Sequence, residues 1–457
     1  MRGAGCGVRG AGCGVRVLLL SHTTGYQLRA FNDAATKLGF ELVFATDRCH
    51  KLDDPWQDRA VAVRFHELNE SVHAIVERHL RQPVDGVIAV GDRPVVLAAR
   101  AANAMGLPWH SVLGALASSD KRRSRAALHA TGLPSPQFSV LSASSPDIGF
   151  RRSDIGSRTS DIGSRISDIG FPCVLKPLGL SGSRGVIRAD NRADFVAAFD
   201  RIRALIARPQ VRSSRTGLED RILVERYVHG REFAVEGVLT RGVLSVFAIF
   251  DKPDPLEGPF FEETIYVTPT FLDADRQARI VDHVARGAAA LGLWHGPLHA
   301  ECRVTPEGEV YVLEIAGRPI GGLCSGVLSL IRSQDLGPGS GPRPSSLEEV
   351  LLRHAIGEPV NDWTRESQAA AVMMIPIPAR GVLKGVSGAD PARSVPGVTG
   401  VRITAKIGQL LEPLPEAGSY LGFIFAKGAS PRDAERAVRD AHAKMTFDIT
   451  PEIPVNR

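Results

Sequence analysis

No apolar run in these 457 residues is long enough to cross a bilayer, so a helical membrane span is excluded on length. No secretory signal is expected either. The amino terminus carries arginines and glycines, but its apolar core, residues 17–20, is too short. Cysteine is sparse: Cys6, Cys13, Cys49, Cys173, Cys302 and Cys324 form neither a Cys-x-x-Cys pair nor a zinc spacing. Cys173 and Cys302 sit in strand-like runs and are expected as buried thiols. The chain reads as reduced and cytoplasmic. Charge of one sign is nowhere concentrated. The net charge of +5 is spread along the chain, with no sustained basic helix and no basic run interleaved with aromatics. The arginine-rich stretch 201–221 surrounds an expected surface loop at 209–217 and reads as solvation. Neither a nucleic-acid nor a membrane partner is expected.

What is present suits a globular α/β protein: 44% hydrophobic residues, 46 glycines, and length for three or four packed subdomains. Two short repeats stand apart. Residues 2–8 recur as 9–15, and Asp-Ile-Gly recurs every seven residues from Asp147 to Asp168. One isoleucine per heptad beside a glycine makes no helical seam. The expected origin is tandem duplication tolerated in a surface loop, with the fold starting near Val17.

Strand-like and helix-like runs alternate from residue 17 to 106, which favours a parallel sheet with covering helices. Helices are expected at 27–38, 71–81, 94–105, 193–206, 273–291, 347–356 and 432–445. Residues 251–268 hold too much proline for a regular element, and 331–346 is a loop rich in Gly, Pro and Ser.

The richest segment is 299–318, HAECRVTPEGEVYVLEIAGR. If Glu307-Gly308 forms a two-residue turn, antiparallel pairing sets Glu301 directly opposite Glu314. Like charges at opposed positions repel. Either a divalent cation offsets that repulsion, as Mg²⁺ with oxygen ligands would, or the hairpin is solvated with acidic decoration. A turn of this kind can also carry a bulge, which shifts the register by one residue. Arg318 follows at the strand end, where it can grip a phosphate or carboxylate bidentately.

Upstream, FPCVLKPLGLSGSRGV (171–186) reads as strand, loop, strand, with Lys176 at the end of the first strand. The loop is neither a Walker A loop nor a dinucleotide fingerprint. Its backbone N–H groups can still turn toward an anion; the alternative is a mobile connection. In RILVERYVHGREFAVEGV (221–238), Glu225 ends one strand-like run and Glu232 begins the next.

In this order, from Ser119 to Arg318, these elements resemble the ATP-grasp superfamily. SDKRRSRAALHATGLPSP at 119–136 looks like that family's opening helix and its Gly-Leu-Pro exit. The resemblance implies an ATP-grasp fold, α/β and α+β, with an N-terminal parallel α/β domain and a C-terminal α+β domain. It implies that Lys121 and Lys176 contact ATP phosphates. The loop with Ser181, Gly182, Ser183 and Gly185 would close over them. Glu225, Arg226, Tyr227 and Val228 would form the adenine hinge, and Glu232 would bind ribose. Glu301 and Glu314 would bind Mg²⁺, with Mn²⁺ as an alternative. One departure stands out: the family's Glu-x-Asn-x-Arg reads Glu314-Ile-Ala316-Gly-Arg318 here, so one ion would bind more weakly or take a water.

Residues 368–450 resemble the C-terminal domain of bacterial L-amino acid ligases, which couple two amino acids using ATP. The expected layout is a repetitive leader at 1–16, an α/β domain at 17–118, an ATP-grasp domain at 119–357 with the repeat insertion near 146–170, and the C-terminal domain at 368–450. The expected function is ATP-dependent ligation of a carboxylate to an amine through an acyl phosphate. Arg318 is the catalytic candidate, and Glu263, His299, Arg318 and Gly322 are the substrate-side candidates. Glu262 or Glu263 would receive a substrate ammonium, or both are solvated; His299 would orient substrate or a metal-bound water, or is structural. The partners are amino acid or carboxylate substrates, and a homodimer is left open. The alternatives are a ligase for another acid or amine, and an ATP-binding protein without catalysis.

Overall fold

The computed structural model describes residues 14–22, 26–47, 60–144, 168–213, 215, 217–333 and 344–451. Most of the leader repeat, most of the heptad insertion, and Cys6, Cys13 and Cys49 lie outside the described residues.

The first unit is a four-stranded parallel sheet. Its strands are Ala60–Ala62, Glu41–Thr46, Arg16–Ser21 and Gly86–Val90, in that spatial order. Val17 to Leu20 and Val87 to Val90 are all buried, as continuous apolar runs in a parallel sheet require. Helix Pro94–Met105 starts with proline and stops at Gly106 in the left-handed conformation. The later helix Leu347–Ala355 also closes on this sheet: a Cβ on Gly86 would lie 2.4 Å from the Ala355 carbonyl oxygen. Only glycine allows that approach.

A second sheet has four antiparallel strands: Phe138–Ser142, Arg221–Arg226, Cys173–Pro177 and Ile187–Ala189. Helix Arg192–Ile206, capped by Asn191, buries Phe195, Phe199 and Ile202 against it. A third sheet has eight antiparallel strands, running Val310–Ala316, Gly296–Val304, Arg231–Thr240, Val243–Asp251, Ile265–Thr268, Ala369–Ile375, Gly422–Gly428, Val398–Ile403. It crosses without a break from the hairpin into the C-terminal region, because Ile265–Thr268 pairs with Ala369–Ile375.

Three expected loops are partly regular. Ile-Tyr-Val-Thr at 265–268 is β-branched and aromatic, and it pairs as a strand after the prolines have passed. The ends of the 331–346 stretch pair as strands Ser329–Arg332 and Ser345–Ser346. Pro209–Arg212 forms a short helix, with proline at a position that needs no N–H. Cys173, Cys302 and Cys324 are buried free thiols. No described helix is long and apolar enough to cross a membrane.

Candidate active site

The hairpin reaches the expected pairing by an unexpected route. Its loop has three residues, Pro306-Glu307-Gly308, closed by Thr305 N–H to the Glu309 carbonyl at 2.9 Å. Gly308 takes a left-handed φ of 88°, the position such three-residue loops reserve for glycine. Val304 therefore pairs with Val310, one residue out of the register of a two-residue turn. A bulge at Leu313 then shifts the register back, and Glu301 pairs with Glu314. The carbonyl that the bulge frees accepts a hydrogen bond from Arg125 Nη2 at 2.6 Å.

Each of the two opposed carboxylates faces its own cation. Lys121 Nζ lies 3.3 Å from Glu314, and Lys252 Nζ lies 3.2 Å from Glu301. Burial disfavours the ionised Glu301, but Lys252 and His299 outweigh it and hold the carboxyl well below its usual range. His299 shares the Glu301 face, as alternation along a strand dictates. Its Nδ1 is 3.1 Å from the fully buried Glu236 and its Nε2 is 3.8 Å from Glu301. Burial lowers its pKa, yet these carboxylates prevail and lift it to about 9.

Lys252 is the centre of a larger network. Besides Glu301, its ammonium reaches Glu232 at 2.7 Å and Glu263 at 2.6 Å. Glu232 also accepts from Arg303 at 3.0 Å, and Tyr266 donates its hydroxyl to Glu263 at 2.7 Å. Burial pushes the Glu263 carboxyl up to about 7 against the pull of Lys252, helped by the charges of Glu301 and Glu232. Arg318 is held too: its Nε lies 2.6 Å from Asp92. Asp92 comes from the loop at the carboxyl end of Gly86–Val90, where open α/β sheets place ligands. Burial works against the ionised Asp92, but Arg318 and Lys121 keep its carboxyl below the usual range.

On the four-stranded antiparallel sheet, Lys176 pairs with Glu225 at 2.6 Å, and Arg125 takes the other oxygen of Glu225 at 2.6 Å. Despite burial, these two cations hold the Glu225 carboxyl near 2. Its side chain therefore pins Lys176 in place. Of the N–H groups at 225–228, the segment expected as the adenine hinge, Arg226 donates to the Gln137 carbonyl and Tyr227 to that of Pro172, while the Val228 carbonyl accepts from Arg303. Gly182 and Ser183 both adopt left-handed φ, 64° and 56°. A serine in that region is strained and turns the loop sharply over the cavity.

Lys121, Lys176, Ser181, Gly182, Ser183, Glu225, Arg226, Tyr227, Val228, Glu232, Glu263, His299, Glu301, Glu314, Arg318 and Gly322 all line one cavity of about 260 Å³. Gly185 is the exception. It gives its N–H to the Pro415 carbonyl at 2.8 Å and lies behind the loop, against Pro177. Sequence reasoning missed Lys252, Asp92, Arg125, Tyr266, Met374 and Tyr420. The last three of these line the cavity together with Cys324, whose Sγ lies 3.7 Å from the Met374 sulfur. The Gly91-Asp92 pair after a parallel strand was a usable signal for Asp92.

Glu301 and Glu314 are hard oxygen donors on one wall, the donor chemistry that suits Mg²⁺ or Mn²⁺. The position of the family's asparagine is the buried Ala316, which pairs with His299 across the hairpin and offers no ligand atom.

Three family models match the chain: the ATP-grasp N-terminal domain over residues 32–109, the ATP-grasp domain over 169–327, and the L-amino acid ligase C-terminal domain 2 over 373–450. The uncharacterized protein y4rH of Sinorhizobium fredii is 29% identical over 61% of this chain and 54% of its own length. Alanine–anticapsin ligase of Bacillus subtilis is 25% identical over 54% of this chain and 51% of that protein. The chain thus spans about half the length of these curated relatives. A solved L-amino acid ligase from Bacillus licheniformis superposes with a TM-score of 0.74 over 96% of this chain and 100% of that one, at 22% identity.

Proposed function

We propose that this chain, which has the ATP-grasp fold with an ATP-grasp domain and an L-amino acid ligase C-terminal domain, is an ATP-dependent carboxylate–amine ligase. Its substrates are two amino acids. The observation that carries this reading is the convergence of the opposed Glu301–Glu314 pair, Lys121, Lys176 and Arg318 on one cavity. A kinase needs one acceptor; a ligase needs room for two substrates beside the phosphates. The cavity is lined both by the loop at 179–185 and by Met374 and Tyr420 of the C-terminal region, and Glu263 lines it too.

In the reaction proposed, an oxygen of the donor carboxylate attacks the γ-phosphorus and ADP leaves, giving an acyl phosphate. The acceptor amine then attacks the acyl carbon, phosphate leaves, and the amine loses a proton. Catalysis of this kind is mostly positioning and charge neutralisation. Lys121 and Lys176 oppose phosphate charge, and Arg318, aimed by Asp92, opposes charge on the transferring group. Glu263 receives a substrate ammonium. Glu301 and Glu314 would hold the divalent cation, which when bound supplies further charge neutralisation on the phosphates. The loop at 179–185 keeps water from the acyl phosphate.

Phosphate release from ATP tests the proposal. It is expected only when a carboxylate and an amine are both supplied, with one amide formed per phosphate. Full turnover with a single amino acid and no amide product would remove the ligase reading in favour of a nucleotide-binding protein without ligation.

A further inference from the structure

We propose that Lys252 is a built-in counter-ion that competes with the divalent cation for Glu301. The nucleotide-free protein therefore disfavours metal and loads it together with ATP. The inference rests on the reading of Glu301 and Glu314 as metal ligands, and adds a positioning residue to it.

Lys252 follows strand Val243–Asp251, and its side chain is 2% exposed. Carboxylate oxygens of Glu232, Glu263 and Glu301 lie within 4.8 Å of one another, the only such group of three potential ligands among the described residues. That cup has the size and charge to hold a cation, and the Lys252 ammonium fills it, at 2.7, 2.6 and 3.2 Å from the three residues. Glu314 lies outside the cup, and it too faces an ammonium, that of Lys121. The protein's own cations thus occupy these carboxylates before any ligand enters.

A divalent ion at Glu301 would stand a few ångströms from Nζ. Like charges at that range repel strongly even at the effective dielectric of a protein site. A triphosphate offsets the added charge, so metal and nucleotide favour each other's binding. Lys252 contacts Glu301 at the longest of its three distances, and retains Glu232 and Glu263 when Glu301 turns to the ion. Metal loading then tightens the ammonium on Glu263, which also carries Tyr266. The cation subsite and the substrate wall are coupled through one side chain, and coupling of this kind is reciprocal.

A merely structural ion pair makes the opposite prediction, because its loss disorders the carboxylates and weakens metal binding. The test is Mn²⁺ titration of the nucleotide-free full-length chain, with free aqueous Mn²⁺ read by electron paramagnetic resonance. Lys252→Met should bind Mn²⁺ about tenfold more tightly than the native protein. Lys252→Arg, which keeps the charge, should stay close to native. Should Lys252→Met fail to fold, the double variant Lys252→Met/Glu263→Gln removes one carboxylate with the cation and should show the same tightening. Equal or weaker Mn²⁺ binding in a folded charge-removing variant would overturn the proposal. Failure of the native protein to bind Mn²⁺ with or without ATP would be a different result: the hairpin is then no metal site, and the proposal falls with that reading.

Discussion

His354 and His110 are buried imidazoles that do not line the cavity, at the junction of helix Leu347–Ala355 with the segments around Trp109 and Trp294. His354 stacks on His295 with ring centres 4.3 Å apart and bonds Thr240 at 3.0 Å. His110 donates from Nε2 to the Pro297 carbonyl and accepts the Trp294 N–H at Nδ1, which fixes a neutral tautomer. Burial lowers the two pKa values to about 3 and about 4; neighbouring histidines add to this, and Arg241 acts likewise on His295. A depressed histidine lends stability that is complete above the unfolded pKa of 6.5 and is lost as pH falls toward the folded value. At pH 5 the loss is on the order of 2 kcal/mol for each. The raised carboxyls of Glu263 and Asp251 work the other way. A comparison with His354→Gln cancels them, since they are common to both proteins. Between pH 7.5 and 5 the melting temperature should fall more steeply for the native protein than for the variant; parallel curves would contradict the assignment. At this scale the sequence was only partly legible. Lysines and glutamates on motif strands stood out, but Asp92 is 226 residues from Arg318. Only folding shows that the two pair.

The hairpin shows why elements were easier to read than their details. Apolar runs on either side of a glycine announce two strands, but loop length and bulge are set by local backbone fit. Two departures of one residue happened to cancel, so the Glu301–Glu314 pairing came out as expected although the turn did not. The loop at 179–185 is the other element whose placement tertiary contacts decide. Arg184 Nε donates to the Glu416 carbonyl at 2.7 Å, and Arg201 grips the Glu416 carboxylate at 2.6 and 2.9 Å. Arg208 holds Glu412 at 2.8 Å. The C-terminal segment thus ties down the loop at 179–185 and the helix that follows it. Partly exposed pairs of this kind contribute about 0.2 to 1 kcal/mol each. Glu412→Gln/Glu416→Gln should therefore raise the KM for ATP about threefold, and raise phosphate released per amide formed above one, through water entry. Its melting temperature should change little. An unchanged ratio of phosphate to amide would show that these contacts do not govern closure.

The whole molecule places one cavity where its parts meet. The loop after the parallel sheet supplies Asp92, which holds the lining residue Arg318; the four-stranded antiparallel sheet supplies Lys176 and the serine loop, and the long antiparallel sheet Glu232, Glu301 and Glu314. That same sheet continues into the C-terminal region, which contributes Met374 and Tyr420. The alternation of strands and helices and the order of the motifs made this architecture legible. The shared sheet was not, because a four-residue strand after a proline-rich stretch has too little periodicity to announce itself. The central claim is that activation passes through an acyl phosphate in this cavity. It is tested most directly by supplying ATP with an amino acid labelled with ¹⁸O in its carboxylate, together with an acceptor amine. One labelled oxygen should appear in inorganic phosphate for each amide formed. Label recovered in AMP, or amide formed with unlabelled phosphate, would contradict the account.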